Sequence, residues 1–390
     1  MKWEKVAIKD ICTGIYDGPH ATPPLSDTGA IFLGISNFNN GRLDFSDIRY
    51  ISEDDLPKWT KRVIPQKNDI VFSYEATLNL YAIIPEGFRG CLGRRMALLR
   101  VDETKADYKF LYYYFYSDAW RATVNENIVL GATVDRIPLI KFPDFPVELP
   151  PLETQHRIAD ILSAYDDLIE NNQKQIKLLE EAAQRLYKEW FVDLRFPGHE
   201  NMEIVDGVPE GWKKERLVDI AEIQYGYAFD GTLFNADKNG TPIIRIRNIP
   251  QAETMDYTTE HVSENYLVQN GEIIVGMDGE FHINAWAGNT AYLVQRVCCI
   301  RPKNTEIKGW LLQAIYEPIK FFERTVVGAT VAHLGKKHFD SIYLLTSPEE
   351  FYEPFKTFFD KRLLLMNQNR KLREARDRLL PKLMSGEVEV

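Results

Sequence analysis

The sequence lacks the residue patterns that metal sites, disulfide frameworks and nucleotide-binding loops require. Its four cysteines form no C-x-x-C pair and its seven histidines no H-E-x-x-H motif, so we expect reduced, packed thiols and no metal site. There is neither a G-x-x-x-x-G-K-[ST] loop nor a G-x-G-x-x-G turn to hold phosphates, and no G-x-S-x-G nucleophile elbow. We therefore assign no catalytic residue and expect no cofactor on this chain.

An excess of positive charge and a long apolar run are also missing. Lys and Arg total 47 against 57 Asp and Glu, a net charge of −10, so any nucleic-acid surface must be local. No apolar run approaches the roughly 20 residues of a membrane span, and the polar N-terminus has no signal-peptide pattern. These features predict a cytoplasmic protein with no membrane contact, and 390 residues favour two domains.

What the sequence does contain is an internal duplication. Gly131–Val134 and Gly328–Val331 share the four residues Gly-Ala-Thr-Val at an offset of 328 − 131 = 197. The openings around Trp3 and Trp212 also match. Other matching segments, of strand-like pattern, are Ile31–Asn37 with Pro242–Asn248 and Asn68–Phe72 with Gly271–Val275. The order of these matches predicts two related modules.

Each module is followed by a long helix with a heptad seam. In the central helix, apolar residues with one asparagine recur every four and three positions from Ile158 to Trp190. At roughly 1.5 Å per residue, this helix would be on the order of 50 Å long and would act as a spacer. The C-terminal seam, Phe358 to Leu383, repeats the spacing but includes Arg362 and Asn369, which its partner must accommodate. An approximate two-fold relation between the modules would make the helices pack antiparallel.

These patterns divide the chain into five segments. The turn-rich sequence between the modules is a linker. The predicted segments are a first domain at 1–150, a central spacer helix at 151–195, the linker at 196–211, a second domain at 212–346 and a C-terminal spacer helix at 347–390. Pro354 leaves open whether the last helix is kinked or begins late.

Local clusters of basic residues make a DNA surface possible. Arginine provides a planar fork that fits phosphates and guanine edges. The candidate DNA-binding residues are Arg94, Arg95, Arg136, Arg245, Arg247, His333, Lys336 and Lys337. Between Lys361 and Lys382, eight Lys or Arg residues stand against two acidic ones, which leaves open whether that helix faces DNA, an acidic partner or solvent.

The chain resembles the specificity subunit of type I restriction-modification systems along its whole length. The motifs that carry the resemblance are the Gly-Ala-Thr repeat followed by Pro150–Gln155, the linker motif Gly207–Trp212 and the ending Leu379–Glu387. The resemblance implies two pseudo-symmetric α/β target-recognition domains separated by two long antiparallel coiled-coil helices. Each domain would recognise one half of a bipartite double-stranded DNA target, and the chain would be non-catalytic.

The same resemblance implies partners and places the repeated motif. Two adenine methyltransferase subunits and two restriction/translocase subunits would bind the chain, and S-adenosylmethionine, ATP and magnesium would belong to them. Gly131 and Thr133, with Gly328 and Thr330, fall in the family's domain-to-helix motif and are expected to be structural. Phe351–Pro354 departs from the family pattern found at Gln155–Ile158, so the entry into the second helix is open.

Two functions of other classes remain as alternatives. One is a stand-alone DNA-modifying enzyme or nuclease with dispersed carboxylates such as Asp278 and Glu280, for which solvated turns are the simpler explanation. The other is a scaffold that binds proteins but not DNA. Turnover by the pure chain would favour the first, and the absence of salt-sensitive DNA binding would favour the second.

Overall fold

The computed structural model describes residues 3–131, 134–325 and 333–390. It contains two compact units, one formed by Met1–Asp167 with Arg373–Val390 and the other by Leu168–Leu372. Each unit therefore includes a mixed helix and strand region and one part of each long helix. The five segment boundaries predicted from the sequence count the helices separately and stay predictions.

The first unit is built around a four-stranded antiparallel sheet. Its strand order is Cys12–Asp17, Met96–Val101, Ile70–Ser73, Tyr81–Ile83. A three-stranded sheet contains Tyr50–Ile51, Ala30–Leu33 and Gly90–Leu92, the last two parallel. Two-stranded pairs are Glu4–Ala7 with Pro146–Leu149 and Phe38–Asn39 with Arg42–Leu43. Its short helices are Leu56–Trp59, Tyr108–Tyr114 and Asp118–Asn127.

The second unit repeats this design. Its four-stranded antiparallel sheet has the order Ala221–Tyr225, Val297–Pro302, Ile273–Gly276, Ile283–Ala285. A five-stranded sheet has the order Phe234–Asn235, Tyr257–Thr258, Thr241–Ile244, Ala291–Leu293, Leu267–Val268. Two-stranded pairs are Lys213–Arg216 with Tyr343–Thr346 and Ile204–Val205 with Val208–Pro209. Its short helices are Leu217–Ile220, Lys308–Ala314, Tyr316–Thr325 and Lys336–Asp340.

The duplication predicted from the sequence is confirmed at the level of topology. In each unit the strand that opens the repeat, Glu4–Ala7 or Lys213–Arg216, pairs with the strand that precedes a long helix, and the four-stranded sheets have the same order. Ala30–Leu33 runs parallel to Gly90–Leu92, as Thr241–Ile244 runs parallel to Ala291–Leu293. The fold is therefore α/β with two repeated domains.

The cores of both units are aromatic. In the first, Trp120 is fully buried against the rings of Phe115 and Phe142, with centroids 4.7 and 5.9 Å away. Cys91 is buried in a separate apolar cluster of the same unit, and this burial raises the pKa of its thiol to about 12. In the second, Trp212 lies between Phe191 and Phe196, at 4.9 and 4.6 Å.

Two long helices contain the seams predicted from the sequence. The central helix is Leu152–Tyr187 and continues as a π-helical turn, Lys188–Val192. The C-terminal helix is Glu353–Met384, so Pro354 lies in its first turn, where no backbone N–H donor is needed. The alternative of a delayed start is the one that the structure adopts. None of the helices in the described ranges is long and apolar enough to cross a membrane.

Contacts within the second unit show that the helices pack antiparallel. Asn172 contacts Asn369 at 2.9 Å and Glu180 accepts from Arg362 Nε at 2.6 Å, so residue numbers fall along one helix as they rise along the other. In the first unit, Arg376 donates to Asp166 at 2.5 Å. Every polar residue of the C-terminal seam thus contacts a polar partner on the central helix. The sequence predicted that such partners were needed.

Two of the eight basic residues counted on the C-terminal helix are therefore engaged in the helix pair. The side chain of Arg362 is only 11% exposed and donates to Asn284 as well as to Glu180. Arg376 is 22% exposed and is paired with Asp166. Of the alternatives left open for this helix, these two residues contact other parts of the protein and not DNA.

The buried amide pair gives a first testable prediction. Replacing Asn172 with leucine removes the donor of the Asn369 amide oxygen in a buried seam. We expect the free energy of unfolding to fall by about 1–3 kcal/mol, the cost of an unsatisfied buried polar group. The double variant Asn172→Leu/Asn369→Leu should recover wild-type stability, because no polar group is then unpaired. Urea unfolding of the three proteins tests this, and a single variant as stable as the wild type would contradict it.

Candidate nucleic-acid interface

In the first unit, three candidate arginines meet just beyond the strand Ile70–Ser73. The N–H of Tyr74 donates to the carbonyl of Arg95 at 3.2 Å, and its carbonyl accepts from the N–H of Ile137 at 2.8 Å. Glu75 and Arg136 face each other across an isolated antiparallel bridge. The guanidinium of Arg95 lies 3.3 Å from the Glu75 carboxylate. We name Glu75, Arg94, Arg95 and Arg136 the first cluster.

Tyr74 fixes the backbone of this cluster. Its hydroxyl donates to the carbonyl of Arg94 at 2.8 Å. Burial, followed by the charges of Asp17 and Glu75, raises the pKa of Tyr74 to about 12, so it remains a neutral donor at physiological pH. The backbone of Arg94 is therefore held in place while its side chain is exposed.

The second unit holds the corresponding arrangement beyond the strand Ile273–Gly276. The N–H of Met277 donates to the carbonyl of Arg296 at 2.8 Å, and its carbonyl accepts from the N–H of Leu334 at 2.8 Å. Asp278 and His333 form the isolated antiparallel bridge. The carboxylate of Asp278 lies 2.6 Å from His333 Nδ1 and 3.1 Å from the guanidinium of Arg296. We name Asp278, Gln295, Arg296 and His333 the second cluster.

The two clusters are products of the duplication. The offsets are 278 − 75 = 203 for the carboxylates, 296 − 95 = 201 for the arginines and 333 − 136 = 197 for the third members. The last offset equals that of the Gly-Ala-Thr-Val repeat. The same backbone hydrogen bonds thus join the same positions in both units. This correspondence favours a common role for the two clusters over an unrelated origin.

Arg245 and Arg247 lie on a neighbouring loop of the second unit. The loop includes the 3-10 turn Ile246–Asn248 and follows Ile244, whose carbonyl accepts from the N–H of Val294, two residues before Arg296. Arg245 lies over the Phe234 ring at 5.6 Å. Arg247 is 62% exposed and forms a two-pronged ion pair with Asp256. Burial alone would raise the pKa of Asp256, but hydrogen bonds from Arg247 and Asn248 lower it below its usual value.

The equivalent loop of the first unit borders a groove. The amide oxygen of Asn37 accepts from the N–H of Gly34 at 2.9 Å, as that of Asn248 accepts from Arg245 at 2.8 Å. The groove has a volume of about 280 Å³. Among its lining residues are Gly34, Ser36, Arg49, Gly93, Arg94 and Arg95. Three arginines and several small residues therefore surround a space that a phosphate or a base edge could enter.

The remaining candidates lie close to His333 in sequence. Lys336 and Lys337 are exposed on the helix Lys336–Asp340, and Lys336 contacts Asp340 at 2.8 Å. His333, Lys336 and Lys337 thus occupy one continuous segment, whereas Arg245 and Arg247 lie on a separate loop.

The repeated motif is described only at Gly131. A Cβ atom at this exposed position would meet the carbonyl oxygen of Val134 at 2.1 Å, so only glycine fits the turn. On either side of the motif, Val129 and Arg136 exchange two backbone hydrogen bonds. The motif therefore leads directly to Arg136. Thr133, Gly328 and Thr330 lie outside the described residues, and their structural role stays a prediction.

The acidic members of both clusters and Arg296 were not among the DNA-binding residues predicted from the sequence. Asp278 was considered only as a nuclease carboxylate, but the structure engages it with two basic side chains. Glu280 lies near His282, at 3.5 Å. Within residues 3–131, 134–325 and 333–390, no three His, Cys, Asp or Glu side chains are grouped to hold a metal ion. The repeat offsets were the signal that could have found the clusters.

Comparisons with known proteins agree on one family. The model of the type I restriction modification DNA specificity domain matches residues 1–181 and 209–350. The MjaIX specificity subunit of Methanocaldococcus jannaschii is 25% identical over 366 residues, which cover 88% of this chain and 82% of that protein. The EcoBI specificity subunit of Escherichia coli is 29% identical over 150 residues, 38% of this chain and 32% of that protein.

A solved structure shares the fold. The S subunit of a type I restriction-modification system from M. genitalium superposes with a TM-score of 0.57 and covers 98% of this chain and 96% of that one. Its sequence identity to this chain is 16%. The similarity extends over both repeated units and both long helices.

Proposed function

This chain belongs to the type I restriction-modification DNA specificity family, and from that premise we propose that it recognises a bipartite double-stranded DNA target, one half-site per unit. The observation that carries the proposal is the pair of duplicated clusters, which present arginines at equivalent places in the two units. Guanidinium groups bind phosphates and guanine edges with two parallel hydrogen bonds. Two copies of one DNA-contacting site on a single chain suit a target in two parts.

The carboxylate of each cluster has a defined part in this proposal. Glu75 and Asp278 each hold basic side chains of the cluster at a fixed place before DNA arrives. A prearranged side chain loses less conformational freedom on binding. A carboxylate beside the DNA also repels phosphates that approach in the wrong register. The clusters therefore favour specificity over unselective affinity.

We further propose that catalysis belongs to partner subunits. By the family resemblance, two adenine methyltransferase subunits and two restriction/translocase subunits assemble with the chain. S-adenosylmethionine, ATP and magnesium would bind to those subunits. The relatives' names, as specificity subunits of type I restriction enzymes, support this assignment. The engagement of Asp278 by Arg296 and His333 favours a DNA-contacting role for this carboxylate over a nuclease role.

Salt dependence gives the second prediction and tests the proposed function. The chain, assembled with the methyltransferase subunits proposed as its partners, is used to select bound duplexes from a randomised DNA library. We expect a bipartite motif, and an affinity for it that falls steeply between 50 and 200 mM salt because bound phosphates release counterions. Fluorescence anisotropy measures the affinity, and a scrambled duplex is the control. Binding without a motif and without salt dependence would contradict the proposal and favour a scaffold. Methylation or cleavage of DNA by the pure chain would favour a stand-alone enzyme.

A further inference from the structure

The two clusters differ at two exposed positions: Arg136 corresponds to His333, which is engaged by the Asp278 carboxylate at 2.6 Å, and Arg94 corresponds to Gln295. Gly93 in the first unit and Val294 in the second are equivalent, because their N–H groups donate to Leu33 and Ile244 at the ends of matching strands. The next residue is Arg94 in one unit and Gln295 in the other, at the offset 295 − 94 = 201 that also relates Arg95 to Arg296. Both side chains are exposed.

The backbone is anchored at both positions. The carbonyl of Arg94 accepts from the Tyr74 hydroxyl at 2.8 Å. The N–H of Gln295 donates to the carbonyl of Tyr227 at 2.7 Å. Each residue therefore has a fixed main chain and a side chain at the surface, beside the ion pair formed by the next residue. This is the placement that a base-contacting side chain needs, because positional precision comes from the scaffold.

The arginine that follows each of these residues cannot account for a difference between the half-sites. Arg95 and Arg296 are the same amino acid, and each is paired with the carboxylate of its own cluster, Glu75 or Asp278. Such a shared feature suits a task common to both units, such as holding the DNA backbone. The discrimination between two different half-sites must come from positions at which the units differ.

From this difference we infer that Arg94 selects guanine in the half-site of the first unit and that Gln295 selects adenine in the half-site of the second. The inference rests on the proposed function and names the residues that give each unit its sequence preference. An arginine fork donates to O6 and N7 of guanine, whereas a glutamine amide donates to N7 and accepts from N6 of adenine. One such bidentate contact discriminates between bases by roughly tenfold or more.

The experiment exchanges the two chemistries in the assembled complex. Selection from a randomised duplex library is repeated with Arg94→Gln and, separately, with Gln295→Arg. We expect Arg94→Gln to change one guanine to adenine in one half-site, with a shift in preference of about tenfold or more, and to leave the other half-site as it was. Gln295→Arg should make the reverse change in the other half-site. Arg94→Lys retains the charge but not the fork, so it should relax the same position without creating a preference for adenine.

Arg121→Gln is the matched control, because Arg121 is an exposed arginine of the same unit on the helix Asp118–Asn127. It should leave the motif unchanged. Thermal unfolding shows whether each variant is folded, and the Gln295 variant tests the inference even if the Arg94 variants do not fold. An unchanged motif with DNA binding retained would overturn the inference and leave the proposed function intact. Uniform weakening at every position would also overturn it, since that is the signature of a phosphate contact. A wild-type complex with no motif would refute the proposed function itself.

Discussion

Replacing Asp166 with alanine is expected to lower the free energy of unfolding by about 3 kcal/mol, the cost of removing one partner from a buried ion pair. The Asp166 carboxylate accepts from Arg376 Nη1 at 2.5 Å and from the Tyr113 hydroxyl at 2.6 Å, and its side chain is only 13% exposed. Without it, the guanidinium of Arg376 stays in the helix seam of the first unit with Asp377 as its remaining ionic partner. Burial and the charge of Asp166 hold the pKa of Tyr113 well above its usual range, so the tyrosine acts as a neutral donor.

Asp167 offers a matched control because it is the exposed neighbour of Asp166 on the same helix. Its alanine variant should differ from the wild type by no more than about 0.5 kcal/mol. In Asp166→Ala/Arg376→Met no buried charge is left unpaired, so much of the lost stability should return. Urea unfolding followed by circular dichroism measures all four proteins. If the Asp166 and Asp167 variants were equally stable, the ion pair would be of no importance to the helix pair.

The long helices were predictable because their signal is local and repeated. None of the seam residues from Ile158 to Trp190 is exposed, and the C-terminal seam from Phe358 to Leu383 is likewise buried or half-buried. A seven-residue spacing fixes which side of a helix is buried, whatever the helix packs against. The partners of the seam residues could not be predicted from the local sequence. The spacing indicated that Arg362 needs a polar partner, but only the folded chain shows that it contacts both Glu180 and Asn284.

The candidate interface was predictable only in part. Arg94, Arg95 and Arg136 were chosen for their charge, and the structure brings them together around Glu75. Glu75 and Arg136 are far apart in the sequence, so no local pattern predicts that they contact each other. Arg247 was also chosen for its charge, but the sequence could not show that its guanidinium is already paired with Asp256.

Loss of the clustered arginines is expected to have the largest effect on DNA binding. Arg95→Ala should weaken binding of the assembled complex to its target by roughly 10- to 100-fold, because a phosphate or base contact disappears and the Glu75 carboxylate is left facing the DNA with less compensation. Arg296→Ala should have a similar effect through Asp278, since the duplication pairs each of the two arginines with a carboxylate at the equivalent position. Anisotropy titrations at fixed salt measure both. Effects confined to one unit would contradict equivalent roles for the clusters.

Variants of the carboxylates test whether the clusters select a DNA sequence or only attract DNA by their overall charge. Glu75→Gln adds a net positive charge and releases Arg95 from its ion pair, so binding to scrambled duplex should become tighter while the preference for the target over scrambled duplex declines. Because the carboxylate no longer opposes the DNA, Glu75→Gln/Arg95→Ala should bind more tightly than Arg95→Ala alone. Glu86→Gln provides the control, since Glu86 is an exposed glutamate of the same unit that contacts Lys67 instead. If Glu75→Gln and Glu86→Gln changed affinity and preference to the same extent, the carboxylate would contribute only to the overall charge, and the clusters would attract DNA without selecting its sequence.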